Sequence, residues 1–177
     1  MTATSLPALL RRLVRERAAL RCEYCLLAEE DAFLPHEPDH LVALKHGGAT
    51  EESNLALACF LGSRYKGSDL ASLDPETGSL TPLFHPRVDL WSAHFAIERG
   101  VILPKTPSAR VTVTLLRLNL PVRVEVRGAL AKLQRWPGPL RSAPREGPAI
   151  TCSSAAPGAP ETRPGAGCAS GSFPAGP

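Results

Sequence analysis

The chain has 177 residues, 44% of them hydrophobic, a net charge of +3 and a pI near 8.7. That is enough apolar material for one domain with a core and too little for two. No apolar run approaches the roughly 20 residues that cross a bilayer, and the mild positive balance suits a nucleic-acid partner without requiring one.

The opening stretch MTATSLPALLRRLVRERAAL alternates leucine with arginine, so it reads as an amphipathic helix and not as a signal peptide. The expected compartment is the reducing cytoplasm, where disulfides are rare and clustered cysteines point to metal or catalysis. A helix is expected over residues 6–19, with Ser5 as its cap and Pro7 in its first turn. Leu6, Leu10, Val14 and Ala18 make one apolar stripe. Arg11, Arg12, Arg15 and Arg17 fall largely off it and read as a solvated basic face.

Residues 21–67 hold the chemistry. Cys22 and Cys25 form a C-x-x-C knuckle, and Cys59 follows 34 residues later. Two thiolates spaced this way can turn back onto one Zn²⁺, and a second knuckle usually completes the tetrahedron. Here the fourth position is Gly62, which has no ligating side chain, so the site is incomplete. A redox pair is the other reading of C-x-x-C, but no βαβ pattern surrounds it. Between the cysteines, Asp39 and His40 are adjacent. A carboxylate can hold a hard divalent cation while a neighbouring imidazole takes a proton from water. Gly47 and Gly48 permit a tight turn after a short strand, Leu-Ala-Leu-Ala after Asn54 reads as a second strand, and residues 60–66 as a helix facing the hairpin.

Residues 68–100 carry turn signals in DPETG and PLFHPR and are expected to form loops and short elements. Trp91 and Phe95 are spaced as core residues; His46 reads as a loop histidine, and His85 and His94 as packing or hydrogen-bonding ones. Two helices are expected next, over residues 109–118 and up to 133, the second capped by Asn119 with Pro121 in its first turn. Val111, Leu115 and Leu118 face inward from the first, and Val122, Val126, Leu130 and Leu133 from the second. The β-branched residues at 111–114 leave helix against strand open there. From Trp136 the composition turns to Pro, Gly, Ala and Ser, too poor in large apolar groups to fold. This divides the chain into a domain over 1–135 and a disordered tail over 136–177, in which Cys152 and Cys168 are expected to be free thiols without a role.

The stretch RCEYC … HEPDHLVALKHGGATEESNLALAC … RYKGSDLASLDPETGSLTPLFHPR resembles the bacterial HNH endonuclease family, and the similarity continues through DLWSAHF and LLRLN to about residue 133. The resemblance implies an α+β fold built on a ββα-metal finger, flanked by an N-terminal helix and C-terminal helices. It implies that His40 is the general base, that Asp39 is a ligand of a catalytic Mg²⁺ or Mn²⁺, and that Asn54 pins the hairpin loop. It makes Cys22, Cys25 and Cys59 ligands of a structural Zn²⁺. Arg64, Lys66 and Lys45 would contact nucleic acid, double-stranded DNA in this family, and His36 and Glu37 would lie just outside the metal ligands. In such relatives the second knuckle reads Cys-x-x-Cys-Asn. Here Gly62 replaces the cysteine, and Ser63 the asparagine or histidine that the resemblance implies as the second catalytic-metal ligand. The implied activity is metal-dependent hydrolysis of phosphodiesters, impaired by these losses. The alternative is a degenerate relative that binds nucleic acid without cutting it.

Overall fold

A computed structural model describes residues 6–138; the expected tail beyond them, with Cys152 and Cys168, and the expected cap Ser5 lie outside the described residues. The fold is mixed helix and small antiparallel sheets, as expected for α+β. Among the described residues, no helix is long and apolar enough to cross a membrane.

Helix α1 covers Ala8–Arg17, shorter at both ends than expected, and starts at Pro7 without a side-chain cap. Its stripe behaves as the spacing predicts. Val14 and Ala18 are buried against Leu55 and Leu57, with Leu6 and Leu10 packed alongside. The basic face is only half solvated. Arg15 donates to Glu29 and to the His36 carbonyl, and Arg17 to the Glu52 and Leu55 carbonyls, so these two tie α1 to the loops it covers.

Strand β1, Glu37–His40, pairs antiparallel with β2, Leu55–Ala58, placing Asp39 opposite Ala56 and His40 opposite Leu55. All four β2 residues are buried, because the strand has cover on both faces. Leu55 and Leu57 pack under α1, while Ala56 and Ala58 join the main core. Burying each leucine stabilises the fold by about 1.5–3 kcal/mol. The expected tight Gly-Gly hairpin is not formed. A long loop joins the strands, carrying 3-10 turns at Leu44–His46 and Glu52–Asn54. Gly47 ends the first turn in a left-handed conformation, and a Cβ on Gly48 would lie 1.8 Å from the Val42 carbonyl oxygen. The glycines therefore fold the loop back onto residue 42 rather than reversing the strand directly.

Helix α2, Phe60–Lys66, follows at once. Cys59 is its N-cap, its Sγ accepting from Gly62 N at 3.4 Å. The knuckle is fastened to β2 by Glu23. Its backbone N–H donates to the Leu57 carbonyl, its carboxylate accepts from Leu57 N at 2.8 Å, and it also pairs with Arg87.

The turn-rich segment holds two hairpins that the sequence pattern missed. Strands β3, Ala71–Leu73, and β4, Leu80–Pro82, pair across the DPETG turn; after the one-turn helix α3, Trp91–His94, strand β5, Phe95–Glu98, pairs with β6, Val101–Pro104. Strands of three or four residues give too few alternations to register as strands. Asp74 organises the first turn, accepting from Glu76 N and Thr77 Oγ1 and bidentately from Arg110 at 2.8 and 2.6 Å. Trp91 and Phe95 stack at 5.0 Å in the core, as expected. His94 packs on Phe84 and bonds Thr106 at 2.8 Å, and His85 Nδ1 accepts from Arg87 N.

Helix α4, Pro107–Leu115, includes the β-branched run, so that run is helical. It starts two residues earlier than expected, because Thr106 caps it and Pro107 occupies its first turn. Helix α5, Pro121–Lys132, corrects two expectations. Asn119 does not cap it; its amide is spent on both backbone groups of Ile102. The expected apolar face is also turned outward. Val122, Val126 and Leu133 are exposed, and Leu130 is only partly buried, whereas Arg123 and Arg127 are buried. The reason lies in what α5 packs against. The α4 end presents the Leu116 and Arg117 carbonyls, which Arg123 bonds, and the Arg99–Gly100 turn presents the Gly100 carbonyl, bonded by Arg127 at 2.7 Å. A surface of bare acceptors takes a guanidinium where valine would leave them unsatisfied. That turn also needs glycine, since Gly100 has φ +87° and a Cβ there would lie 2.5 Å from the Val124 carbonyl oxygen. Trp136, expected to open the tail, is buried, and its Nε1 donates to the Cys25 carbonyl at 2.9 Å.

Candidate functional site

The β1–β2 hairpin and α2 bring the expected residues into two centres. The first is built of sulfur. Cys22, Cys25 and Cys59 are buried and free, and their Sγ atoms lie within 4.8 Å of one another, Cys25 and Cys59 at 3.8 Å. Three thiols converging this closely fit a soft or borderline metal ion such as Zn²⁺. Burial pushes the Cys22 thiol well up, while hydrogen bonds from Cys22 and Cys59, and the Arg123 charge, hold Cys25 well down.

Among the described residues, no histidine, aspartate, glutamate or further cysteine joins the three thiols. A Cβ on Gly62 would lie 3.3 Å from Cys59 Sγ and 4.0 Å from Cys22 Sγ, so a side chain there would point into the cluster. Instead the cluster has a cation beside it. Arg123 Nη2 lies 3.5 Å from Cys59 Sγ. Burial works against the Arg123 charge, but the cysteines more than offset it and push its pKa up. Arg127 lies behind, over the Trp136 ring; burial brings it down to about 10, which leaves it charged at neutral pH. Sequence reasoning missed both arginines because at i, i+4 on a helix they look like a solvated stripe. The signal available was the set of thiols, which calls for cations nearby.

The second centre is built of oxygen and nitrogen. Asp39 is largely buried on β1, and Ser63 Oγ lies 3.4 Å from its Oδ1. Oδ2 is buried and faces the Lys66 ammonium at 3.3 Å. Burial pushes the Asp39 carboxyl up, against the pull of Lys66. His40, next along the strand, is partly exposed, and its Nε2 lies 3.0 Å from Thr50 Oγ1. Asn54 fixes the loop between them: its Oδ1 accepts from Val42 N at 2.8 Å, and its Nδ2 donates to the Val42 and Ala49 carbonyls. A largely buried carboxylate beside a hydroxyl suits a hard divalent cation that keeps several waters.

The remaining expected residues are scattered. Arg64 and Lys45 are exposed on α2 and on the loop. Lys66 is not presented to solvent. It is buried, donates to the His40 carbonyl at 2.6 Å and lies 3.3 Å from Asp39 Oδ2. His36 is also buried, with its Nε2 2.9 Å from the Leu27 carbonyl, while Glu37 is exposed at the start of β1. His46 is exposed in its loop.

Gly62 and Ser63 are neighbours on α2, and each faces a different centre: the glycine faces sulfur and the serine faces Asp39. Successive helical residues diverge by about 100° around the axis, which is why one short helix can serve both. No curated protein and no solved structure matches the chain significantly. Residues 22–61, from the first knuckle cysteine to the residue before Gly62, match the family model for the HNH endonuclease, so this stretch carries an HNH domain.

Proposed function

We propose that the protein is a metal-dependent endonuclease that hydrolyses DNA phosphodiesters at the Asp39–His40–Asn54 centre, on the ββα arrangement of β1, β2 and α2. The carrying observation is the juxtaposition of a partly exposed imidazole, oriented by Thr50, with a largely buried carboxylate on the neighbouring residue of the same strand. Asp39 would hold Mg²⁺ or Mn²⁺, with Ser63 as a weak neighbour; such an ion supplies positive charge to the phosphate and leaving oxygen. His40, held through Nε2, has Nδ1 left to take the proton from the attacking water. The water oxygen bonds to phosphorus, and the bond to the leaving sugar oxygen breaks with its electron pair. Asn54 keeps the loop carrying Thr50 closed against β1. Arg64 and Lys45 are placed to meet backbone phosphates. A structural Zn²⁺ held by Cys22, Cys25 and Cys59, and a reducing cytoplasm that keeps them free, belong to the same reading.

One observation favours a second reading, a nucleic-acid-binding relative that does not cut. The Lys66 ammonium already lies beside Asp39 and partly answers its charge. A plasmid-nicking assay in Mg²⁺ or Mn²⁺ separates the two. The nuclease reading expects nicking by the parent and its loss in His40→Ala. No nicking by the parent, with DNA still retained in a salt-sensitive shift assay, would establish the binding reading.

A further inference from the structure

Arg123 and Arg127 are buried guanidinium groups, and neither has a carboxylate partner among the described residues. Arg127 Nη1 is buried and has no hydrogen-bond partner at all. Buried charge without a counter-charge is strongly unfavourable, so these two guanidiniums call for an anion. Among the described residues that anion is the sulfur cluster, with Cys59 Sγ 3.5 Å from Arg123 Nη2. Three thiolates around one divalent ion leave a single negative charge against two guanidiniums. A fourth anionic donor would bring the cluster to two negative charges and balance both guanidiniums. Among the described residues none provides one, because Gly62 stands at that corner.

There is room and a route for a donor from solution. A cavity of about 430 Å³ reaches Cys25, Cys59, Arg123 and Arg127. It meets solvent at Phe33 and Val122, which are 100% and 59% exposed. Its other walls are mainly apolar. Asp31, which also lines it, is already paired with Arg135.

We propose that the three-cysteine centre is an open metal site, which takes its fourth ligand from solution as a small anionic donor, a thiolate or a pseudohalide such as azide, drawn in by Arg123 and Arg127. A closed four-cysteine site is coordinatively saturated and has no such chemistry. The proposal is independent of the nuclease reading, because it concerns the other centre and its test reads no cleavage.

The test uses the full chain loaded with Co²⁺, whose visible spectrum reports the ligand set. The expected result is a sulfur-to-cobalt charge-transfer band from the cysteines, with visible bands that shift saturably on titration with azide or 2-mercaptoethanol. Gly62→Cys should give a spectrum that neither additive changes, with apparent affinity for azide at least tenfold below that of the parent. A parent spectrum unmoved by both additives, or a Co²⁺ complex without the charge-transfer band, overturns the proposal. An equal response in Gly62→Cys overturns it as well. Should Gly62→Cys fail to fold, the parent titration decides alone.

Discussion

The sulfur centre and the Asp39–His40 centre share one hairpin and one seven-residue helix, yet they stand in opposite surroundings. The cysteines are buried in the main core, beneath Trp136 and against two arginines from α5. His40 is partly exposed, and Asp39 reaches the surface through a side chain that is 16% exposed. On the proposed function, the first holds the fold and the second meets a substrate. Each has a weak corner, Gly62 beside the sulfurs and Ser63 beside Asp39, and the surroundings set what that means. A missing donor in the core would leave charge uncompensated, whereas one near the surface would leave a place open to water.

The largest expected effect tests the structural half of this contrast. Cys59→Ala removes a thiol shared by the cluster and by the α2 cap, and takes away the sulfur that Arg123 Nη2 faces. It should cost about 2–5 kcal/mol, a drop of many degrees in melting temperature, and abolish metal uptake. Metal content per chain and a thermal melt check both; an unchanged melt would mean that the cluster does not hold the fold. The mirror-image change, His40→Ala, should leave the melt within about 0.5 kcal/mol, as for other surface positions, and lower nicking by at least about 100-fold.

Ser63→Asn sharpens the contrast on the shared helix. Restoring an amide beside Asp39 should raise the Mg²⁺-dependent nicking rate by about tenfold, within the range that ligand-shell changes produce. An unchanged rate would show that the serine is not limiting. Asp74 offers a measure away from both centres. Its bidentate bond from Arg110 holds its carboxyl well below the ordinary range. A depressed folded-state pKa contributes stability at neutral pH and loses it as pH falls below the unfolded value, about 3.9. The melting temperature of Asp74→Asn should therefore be lower than the parent's at pH 7, and the gap should begin to narrow only below about pH 4. A gap that stays constant with pH would contradict the ion-pair account. The smallest effect is expected from Arg64→Ala, which should reduce the slope of log affinity for DNA against log salt by about 1 without altering the fold.

Much of this arrangement was readable in the sequence, and the unread parts share a cause. The C-x-x-C spacing with Cys59, the Asp39–His40 pair, the Leu-Ala-Leu-Ala strand and the α1 stripe are local patterns, and local patterns survive folding. The inward turn of Lys66 and the burial of Arg123 and Arg127 are decided by partners far along the chain. These are the His40 carbonyl, the Gly100 turn and the sulfur cluster. A helix periodicity that counts valines as core cannot see that the opposing surface is made of bare carbonyls. The β3–β4 and β5–β6 hairpins escaped because their strands are too short to show alternation. The α4 start, by contrast, was present as Thr106–Pro107 and was read two residues late.

The division of labour between the two centres is tested most directly by nicking and melting the parent and His40→Ala side by side, on supercoiled plasmid in saturating Mg²⁺. The account predicts nicking by the parent, a loss of at least about 100-fold in the variant, and superimposable melts. Equal nicking by the two proteins at equal stability would remove His40 from the chemistry and contradict the account.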